Sequence, residues 1–116
     1  MILKRKSRYV LIESSRSIDV ISKHRQMLGI LSTFLGESYL YESNPRVTKQ
    51  YDGNVFIMRV NRGTEDKLIL GLSFLKEFEG ESVGFYTIKV SGTIQSLLDY
   101  ADEAYGAKHK INTKKA

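Results

Sequence analysis

A change of hydrophobic period at Val90-Ser91-Gly92-Thr93-Ile94 most constrains the fold of this 116-residue chain. Residues 83–90 alternate and are rich in β-branched and aromatic types, which predicts a strand. The apolar positions that follow repeat at helical spacing: Ile94, Leu97, Leu98, Ala101 and Tyr105. The hydroxyls of Ser91 and Thr93 can accept hydrogen bonds from the first helical amides, and Gly92 lets another backbone or a phosphate oxygen approach. The step therefore predicts either an anion site or a capped helix start without a ligand.

The other elements follow from the same two periods. Strands are indicated at residues 8–13 and 54–61, and a weaker edge strand at residues 39–41 and 47–51, on either side of Asn44-Pro45. Asp52-Gly53 predicts the hairpin turn between the second and third strands. A helix is predicted from Ile18 to Leu35, capped by Ser17 and ended by Gly36. A second helix is predicted from Thr64 to Gly80, with a buried stripe of Leu68, Leu72, Leu75 and Phe78.

This order predicts an α+β fold of the ferredoxin-like, RNA-recognition-motif-like βαββαβ type, with an appended C-terminal helix and a four-stranded antiparallel sheet. Two helices cover one face of the sheet. The other face either binds a partner or is covered by the last helix, whose apolar stripe also needs a neighbour. The length suits one α/β domain, at residues 8–105, between a basic N-terminal arm at 1–7 and a basic flexible tail at 106–116.

Positive charge is concentrated in these two ends of the chain. The net charge is +5, yet residues 9–105 contain ten basic and thirteen acidic side chains. The excess therefore comes from Lys4, Arg5, Lys6 and Arg8 at one end and Lys108, Lys110, Lys114 and Lys115 at the other. Such arms suit a polyanion, because Lys and Arg contacts to phosphate release counterions. The alternative is that they only aid solubility.

No catalytic or metal-binding constellation is evident. The chain has no cysteine, and its two histidines, His24 and His109, lack carboxylates at metal-ligand spacing. We therefore predict no catalytic residue, no metal ligand and no cofactor bound by the protein. The absence of cysteine, of a signal-peptide core and of a membrane-length apolar run predicts a cytoplasmic protein without membrane contact.

The third strand also lacks the signature by which RNA-recognition motifs stack bases. Residues 54–60 contain no Lys/Arg-Gly-aromatic pattern, so the aromatic side chains are read as core or partner-facing. Arg59 and Arg62 near the end of that strand, and Lys89 beside the strand-to-helix step, suit phosphate contacts instead.

Three segments together resemble a known family. They are Arg59-Val60-Asn61-Arg62, the helix with Leu72 and Leu75, and the Val90–Ile94 step, to which the Arg8-Tyr9-Val10 strand start adds support. This set resembles ribonuclease P protein component 2, an archaeal-type family of ribonuclease P protein subunits in the Pop/Rpp group. The resemblance covers about residues 8–100. Gln95 and Ser96 depart from it, since the family often has basic residues there.

The resemblance implies a non-catalytic subunit that supports the ribonuclease P RNA in removing the 5′ leader from precursor tRNA, by neutralising phosphate and stabilising the RNA. Magnesium is then expected at the RNA subunit, and the expected protein partners are ribonuclease P protein component 3 and a second copy within a heterotetramer. Partner contacts are assigned to Tyr39, Leu40, Tyr41, Leu97, Leu98 and Tyr100. RNA contacts are assigned to Lys4, Arg5, Lys6, Arg8, Arg59, Arg62, Lys89, Ser91, Gly92, Thr93, Lys108 and Lys110.

Two other functions remain open from the sequence. One is a ferredoxin-like regulatory or ligand-binding domain that dimerises through its sheet. The other is a small nuclease that acts without RNA. Salt-dependent affinity for RNA distinguishes the first from the ribonuclease P interpretation, and cleavage by the isolated protein would reveal the second.

Overall fold

A four-stranded antiparallel sheet with helices on both faces is the framework of the chain. The computed structural model describes residues 6–51 and 54–106, the last two by their backbone alone. In chain order the elements are β1 (Ser7–Ser14), α1 (His24–Leu35), α2 (Glu37–Ser43), β2 (Arg46–Tyr51), β3 (Val55–Asn61), α3 (Glu65–Phe74), β4 (Glu77–Phe78), β5 (Glu81–Ser82), β6 (Phe85–Ser91), α4 (Ile94–Ala101) and a π-helical turn (Asp102–Gly106).

The sheet has the strand order β2-β3-β1-β6, and each neighbouring pair is antiparallel. The predicted fold class is confirmed, because these four strands with α1 and α3 form the βαββαβ pattern and α4 is the appended helix. The predicted turn residues Asp52 and Gly53 lie outside the described residues. The strands on either side of them pair as expected, starting from Tyr51 opposite Val55.

The main core lies between the sheet and helices α1 to α3. Alternate side chains of the central strands point into it, including Val10, Ile12, Phe56 and Met58, and they meet the apolar faces of the helices. Gly71 of α3 is buried where α1 and α3 meet: a Cβ atom added to it would lie 2.7 Å from Leu35 Cδ1 and 3.1 Å from Leu31 Cδ2. The absence of a side chain at Gly71 therefore sets how closely the two helices approach.

Helix α4 covers much of the opposite face. Leu97 and Ala101 are buried against Leu11, Tyr51, Val55 and Ile57 of the sheet, with partly buried neighbours around them. Of the two possibilities that the sequence leaves open for this face, coverage by the last helix is therefore the one observed. The end of the face next to the start of β1 and the ends of β3 and β6 stays outside this second core.

Two predicted boundaries in the first half of the chain are wrong. The helix expected from Ile18 begins at His24, with Lys23 rather than Ser17 at its N-cap. Before it, Asp19 accepts hydrogen bonds from the amide and hydroxyl of Ser22 and stabilises a turn instead. Residues 39–41, read as part of the edge strand, belong to the short helix α2, which ends at Asn44 in a left-handed conformation before Pro45.

The helix expected to reach Gly80 ends at Phe74. Leu72, Leu75 and Phe78 keep helical spacing in the sequence, but only Leu72 lies in α3, while Leu75 follows its end and Phe78 lies in β4. Glu79 and Gly80 both have positive φ, at 54° and 80°, and form the tight turn between β4 and β5. Arg16 fixes this hairpin by donating to the Phe78 carbonyl at 2.7 Å and pairing with Glu81 at 3.2 Å.

Candidate nucleic-acid interface

An open groove lies at the end of the sheet where β1 begins, β3 and β6 end and α4 begins. Its volume is about 530 Å³. It is lined by Lys6, Ser7, Arg8, Tyr9, Arg62, Gly92, Thr93 and Ile94. We call it the basic groove. The structure thus brings together five of the residues that the sequence assigned to RNA, from three separate segments of the chain.

Backbone pairing places two of these cations side by side. The amide of Arg62 donates to the carbonyl of Lys6 at 2.6 Å, which extends the pairing of β1 with β3 by one residue. Both side chains are exposed at this edge. Their proximity is therefore a consequence of strand register, and it leaves both charges available to an anion in solution.

Arg8 is the third cation of the basic groove and is partly neutralised. Its Nε lies 3.4 Å from Oε2 of Glu65, whose other carboxylate oxygen accepts a hydrogen bond of 2.6 Å from the amide of Gly63. The Arg8 guanidinium group also lies close to the strand-to-helix step: a Cβ atom added to Gly92 would be 3.4 Å from Nη1 of Arg8. Among the described residues, Lys6 and Arg62 form no ion pair, so they keep the charge of the groove positive.

The Ser91-Gly92-Thr93 step caps α4. Thr93 is the N-cap, and its hydroxyl accepts from the amide of Ser96 at 3.4 Å. The hydroxyl of Ser91 accepts from the amide of Thr93 at 3.2 Å. These contacts are those of the capped helix start, one of the two interpretations of the sequence. Anion binding at this step stays a prediction.

A row of side chains runs across all four strands beside the basic groove. Arg46 of β2 is opposite Arg59 of β3, Arg59 is opposite Tyr9 of β1, and Tyr9 is opposite Ser91 of β6. We call this set the arginine row. Residues that face each other across antiparallel strands project from the same side of the sheet, which here is the α4 side. Tyr9 also lines the basic groove, so the two features meet at this residue, while Arg8 alternates with it along β1 and projects from the other side of the sheet.

Arg46 is not among the RNA contacts predicted from the sequence, although the sequence contains a signal for its position. A two-residue hairpin turn at Asp52-Gly53 pairs Tyr51 with Asn54, and counting outward from that pair brings Arg46 opposite Arg59. The structure reaches the same pairing by a different path, with Tyr51 opposite Val55 and an irregularity between Val47 and Lys49.

The next row on the same face has cations at its two edges. Lys49, Ile57, Leu11 and Lys89 are successive cross-strand neighbours, and α4 covers the two apolar ones. Lys49 Nζ lies 5.2 Å from the centre of the Tyr51 ring, and Lys89 Nζ lies 4.9 Å from that of Tyr100. These two rows therefore contain four cations and no acid.

A second groove, of about 540 Å³, lies at the opposite end of the sheet, near the β4–β5 hairpin and the start of β6. Lys76 is the one basic side chain in its lining. Within residues 6–51 and 54–106, no group of three or more His, Asp or Glu side chains is arranged to hold a metal ion. No helix in the described part of the chain is long and apolar enough to span a membrane.

Comparison with known proteins identifies the chain. The sequence profile of the Rpp14/Pop5 family matches residues 8–101. The chain belongs to the Rpp14/Pop5 family. It is 31% identical over 97 residues to ribonuclease P protein component 2 of Methanocorpusculum labreanum, an alignment that covers 82% of this chain and 65% of that protein. The resemblance inferred from the sequence is confirmed.

A solved structure shares the fold of this Rpp14/Pop5 chain. A chain in the cryo-EM structure of yeast ribonuclease MRP superposes with a TM-score of 0.62 at 13% sequence identity, over 96% of this chain and 99% of the other. The superposition covers nearly the whole length of each chain, so the shared fold includes α4 as well as the βαββαβ core.

The residues assigned to partner proteins do not form one surface in this family member. Tyr39 is 2% exposed and Tyr41 is 91% exposed, with Leu40 partly buried between them. On α4, Leu97 is buried, whereas Leu98 and Tyr100 keep some exposure. Tyr39 and Leu97 are therefore core residues, and Tyr41, Leu98 and Tyr100 are the accessible members of the set. Lys4, Arg5, Lys108 and Lys110 lie outside the described residues.

Proposed function

We propose that this chain is a non-catalytic protein subunit of ribonuclease P that supports the catalytic RNA in removing the 5′ leader from precursor tRNA. Its contribution is to neutralise backbone phosphates and stabilise the folded RNA. One observation carries the proposal: Lys6, Arg8 and Arg62 meet in the basic groove at the end of the sheet, beside Tyr9 of the arginine row, which contains Arg46 and Arg59.

The chemistry of this surface suits phosphate rather than base edges. Lys and Arg side chains bind phosphate without reading sequence, and each neutralised phosphate releases counterions. Base stacking on the sheet, as in RNA-recognition motifs, requires an open face with exposed aromatic rings. Here α4 covers the centre of that face, Tyr9 is a partly buried ring at its open end, and the exposed ring of Tyr86 lies at the far end, away from the basic groove.

The family and the named relative support the biological setting of the proposal. Ribonuclease P RNA, precursor tRNA, ribonuclease P protein component 3 and a second copy of the chain are proposed partners, and magnesium is proposed to act at the RNA. The alignment covers 65% of the archaeal relative's length, and the whole protein's activity and partners are therefore part of the proposal. A cytoplasmic location is likewise proposed.

The regulatory-domain alternative requires a sheet face that is free to pair with a second copy, and neither face is free at its centre. A ferredoxin-like domain that dimerises face to face through its sheet needs an uncovered face. In this structure α1 to α3 cover one face, and α4 covers the centre of the other.

Reconstitution tests the proposed function. The protein and component 3 are added to ribonuclease P RNA, and cleavage of precursor tRNA is measured as a function of magnesium concentration. We expect the protein to lower the magnesium requirement, because protein cations replace metal ions in screening phosphate charge. An unchanged requirement, together with no salt-dependent binding to the RNA, would contradict the proposal.

Charge-removing variants connect that result to the basic groove. Lys6→Gln and Arg62→Gln are each expected to weaken RNA binding several-fold and to reduce the slope of log affinity against log salt concentration by about one. Lys76→Gln is the matched control, since Lys76 is exposed near the opposite end of the sheet. Equal effects of all three substitutions would show that the basic groove is not the binding surface. Deleting residues 1–5 and 107–116 tests the basic arms in the same assay.

A further inference from the structure

The arginine row contains an arrangement that sheets normally avoid. Arg46 and Arg59 are directly opposite each other on β2 and β3, where Cα atoms are about 4.5–5.5 Å apart and side chains project together. Like charges in this position destabilise a strand pair. Arg59 is also partly buried, which reduces screening of the repulsion by water.

No ion pair found in the described residues offsets this repulsion. The ion pairs found in residues 6–51 and 54–106 involve Arg8, Arg16 and Lys23, and none includes Arg46 or Arg59. The next row adds Lys49 and Lys89 rather than an acid. Acids on this side lie farther along: Glu13 is opposite Val55 and Tyr86, and Asp99 of α4 accepts a hydrogen bond from Gln95.

We propose that Arg46 and Arg59 together bind one phosphate group of an RNA backbone. This inference rests on the proposed function and assigns it a specific contact. A guanidinium group presents two parallel N–H donors that match the oxygens of a phosphate, and two opposed guanidinium groups can engage one phosphate from both sides. The negative charge of the bound phosphate then offsets the repulsion between Arg46 and Arg59 that is present in the free protein.

The position of the pair favours a chain of phosphates over an isolated anion. Neighbouring strands are about 4.8 Å apart, so the row from β2 to β6 spans roughly 14 Å. Arg46 and Arg59 lie on β2 and β3, Lys6 and Arg8 lie at the start of β1, and Arg62 follows β3, three residues or about 10 Å beyond Arg59. Successive phosphates of one RNA strand can therefore occupy the pair and the groove.

Binding to RNA tests the pair through its salt dependence. Arg46→Gln and Arg59→Gln are each expected to weaken binding to ribonuclease P RNA about three- to tenfold, and the double variant to lose little more than either single variant. Because the salt slope counts neutralised phosphates, the double variant should lose about one unit of slope rather than two. Arg25→Gln, an exposed cation on α1, is the matched control and should bind like the wild type. Additive losses with a slope change of two, or single variants that match Arg25→Gln, would overturn the shared phosphate.

His24 provides a readout that does not depend on RNA. Burial lowers the pKa of His24, and the positive charge of Arg46 lowers that pKa further. Phosphate held at Arg46 should raise the pKa, measured by NMR titration in inorganic phosphate against chloride of equal ionic strength. A His109→Gln background leaves His24 as the one histidine of the chain. The rise should disappear in Arg59→Gln, and its absence in the wild type would overturn the pair as an anion site.

The two readouts separate the two proposals. If wild-type protein shows no salt-dependent RNA affinity while His24 responds to phosphate, the ribonuclease P function fails and the anion site stands. If RNA binds but both arginine variants behave like the control, the function stands and the pair is excluded. Thermal unfolding should show that Arg46→Gln and Arg59→Gln are at least as stable as the wild type, because each removes a repulsion.

Discussion

At the scale of single residues, Tyr39 shows how tertiary packing changes the chemistry of a side chain. Its ring is in the main core, and its hydroxyl donates to the carbonyl of Thr64 at 3.4 Å. Burial raises the pKa of Tyr39 to about 12, against an ordinary value of 10.0. The folded state therefore favours the neutral phenol of Tyr39. At high pH this tyrosine ionises first in the unfolded chain, which favours unfolding.

This shift predicts a loss of stability at high pH. Its contribution is fully present below pH 10, where the unfolded tyrosine is still neutral, and is lost as pH rises through about 12. The expected loss is on the order of 2 kcal/mol, because one pKa unit corresponds to about 1.4 kcal/mol. Urea denaturation between pH 9 and 12 measures it. Tyr39→Phe should flatten this part of the profile, and the same decline in Tyr39→Phe and wild type would refute the assignment.

Individual residues also show what the sequence could reveal about the candidate site. Lys6, Arg8, Arg62, Gly92 and Thr93 were all assigned to RNA and do meet in one groove. Each is near an end of a predicted strand or helix, and antiparallel pairing brings those ends to one edge. Whether they contact RNA stays a prediction.

At the scale of elements, α1 and α3 each contain one glycine, and only the glycine of α3 lies at the crossing of the two helices. Gly71 is buried, and an added Cβ atom would lie 2.7 Å from Leu35 Cδ1. Gly29 of α1 is exposed, with no atom within 4 Å of the corresponding position. The same substitution therefore tests packing at one position and helix propensity at the other.

We expect Gly71→Ala to be less stable than Gly29→Ala by about 1–3 kcal/mol, because both gain helix propensity but at Gly71 the added methyl group must displace the Leu35 side chain. Gly29→Ala should stabilise it by up to about 1 kcal/mol, since alanine favours the helix over glycine. Thermal and urea unfolding measure both changes. A Gly71→Ala variant as stable as Gly29→Ala would mean that the crossing of α1 and α3 accommodates a methyl group at residue 71 without strain.

The elements that the sequence did not predict share a cause. Leu72, Leu75 and Phe78 repeat at helical spacing, yet α3 ends at Phe74. Leu75 in the following loop and Phe78 in the short strand β4 are still buried in the main core. Tyr39, Leu40 and Tyr41 resemble a strand in composition but are helical, because Tyr39 and Ser43 are buried one turn apart. In both segments the run of apolar residues is too short to distinguish the helical period from the strand period.

At the scale of the whole molecule, α4 determines what the sheet can do. The sequence predicted this helix and left open whether it covers the sheet, since both of its possible neighbours, the sheet and a partner protein, are apolar. In the structure α4 packs on the sheet centre, and its N-terminus forms one wall of the basic groove. Coverage of the centre leaves the two ends of this face accessible, with the cations at the open end and Glu13 and Tyr86 at the other.

The second core predicts that α4 is an integral part of the folded domain. Leu97 has no exposed surface and packs in the cluster with Leu11 and Ile57, so Leu97→Ala should cost about 2–5 kcal/mol of unfolding free energy. Leu98→Ala is the control, because Leu98 is partly buried at the edge of the same cluster and should cost less. Urea denaturation followed by circular dichroism gives both values, and dye binding to apolar surface reports whether α4 detaches before the sheet unfolds. Equal small losses, with early dye binding in the wild type, would mean that α4 is a loosely attached cover and that the uncovered sheet is available to a partner.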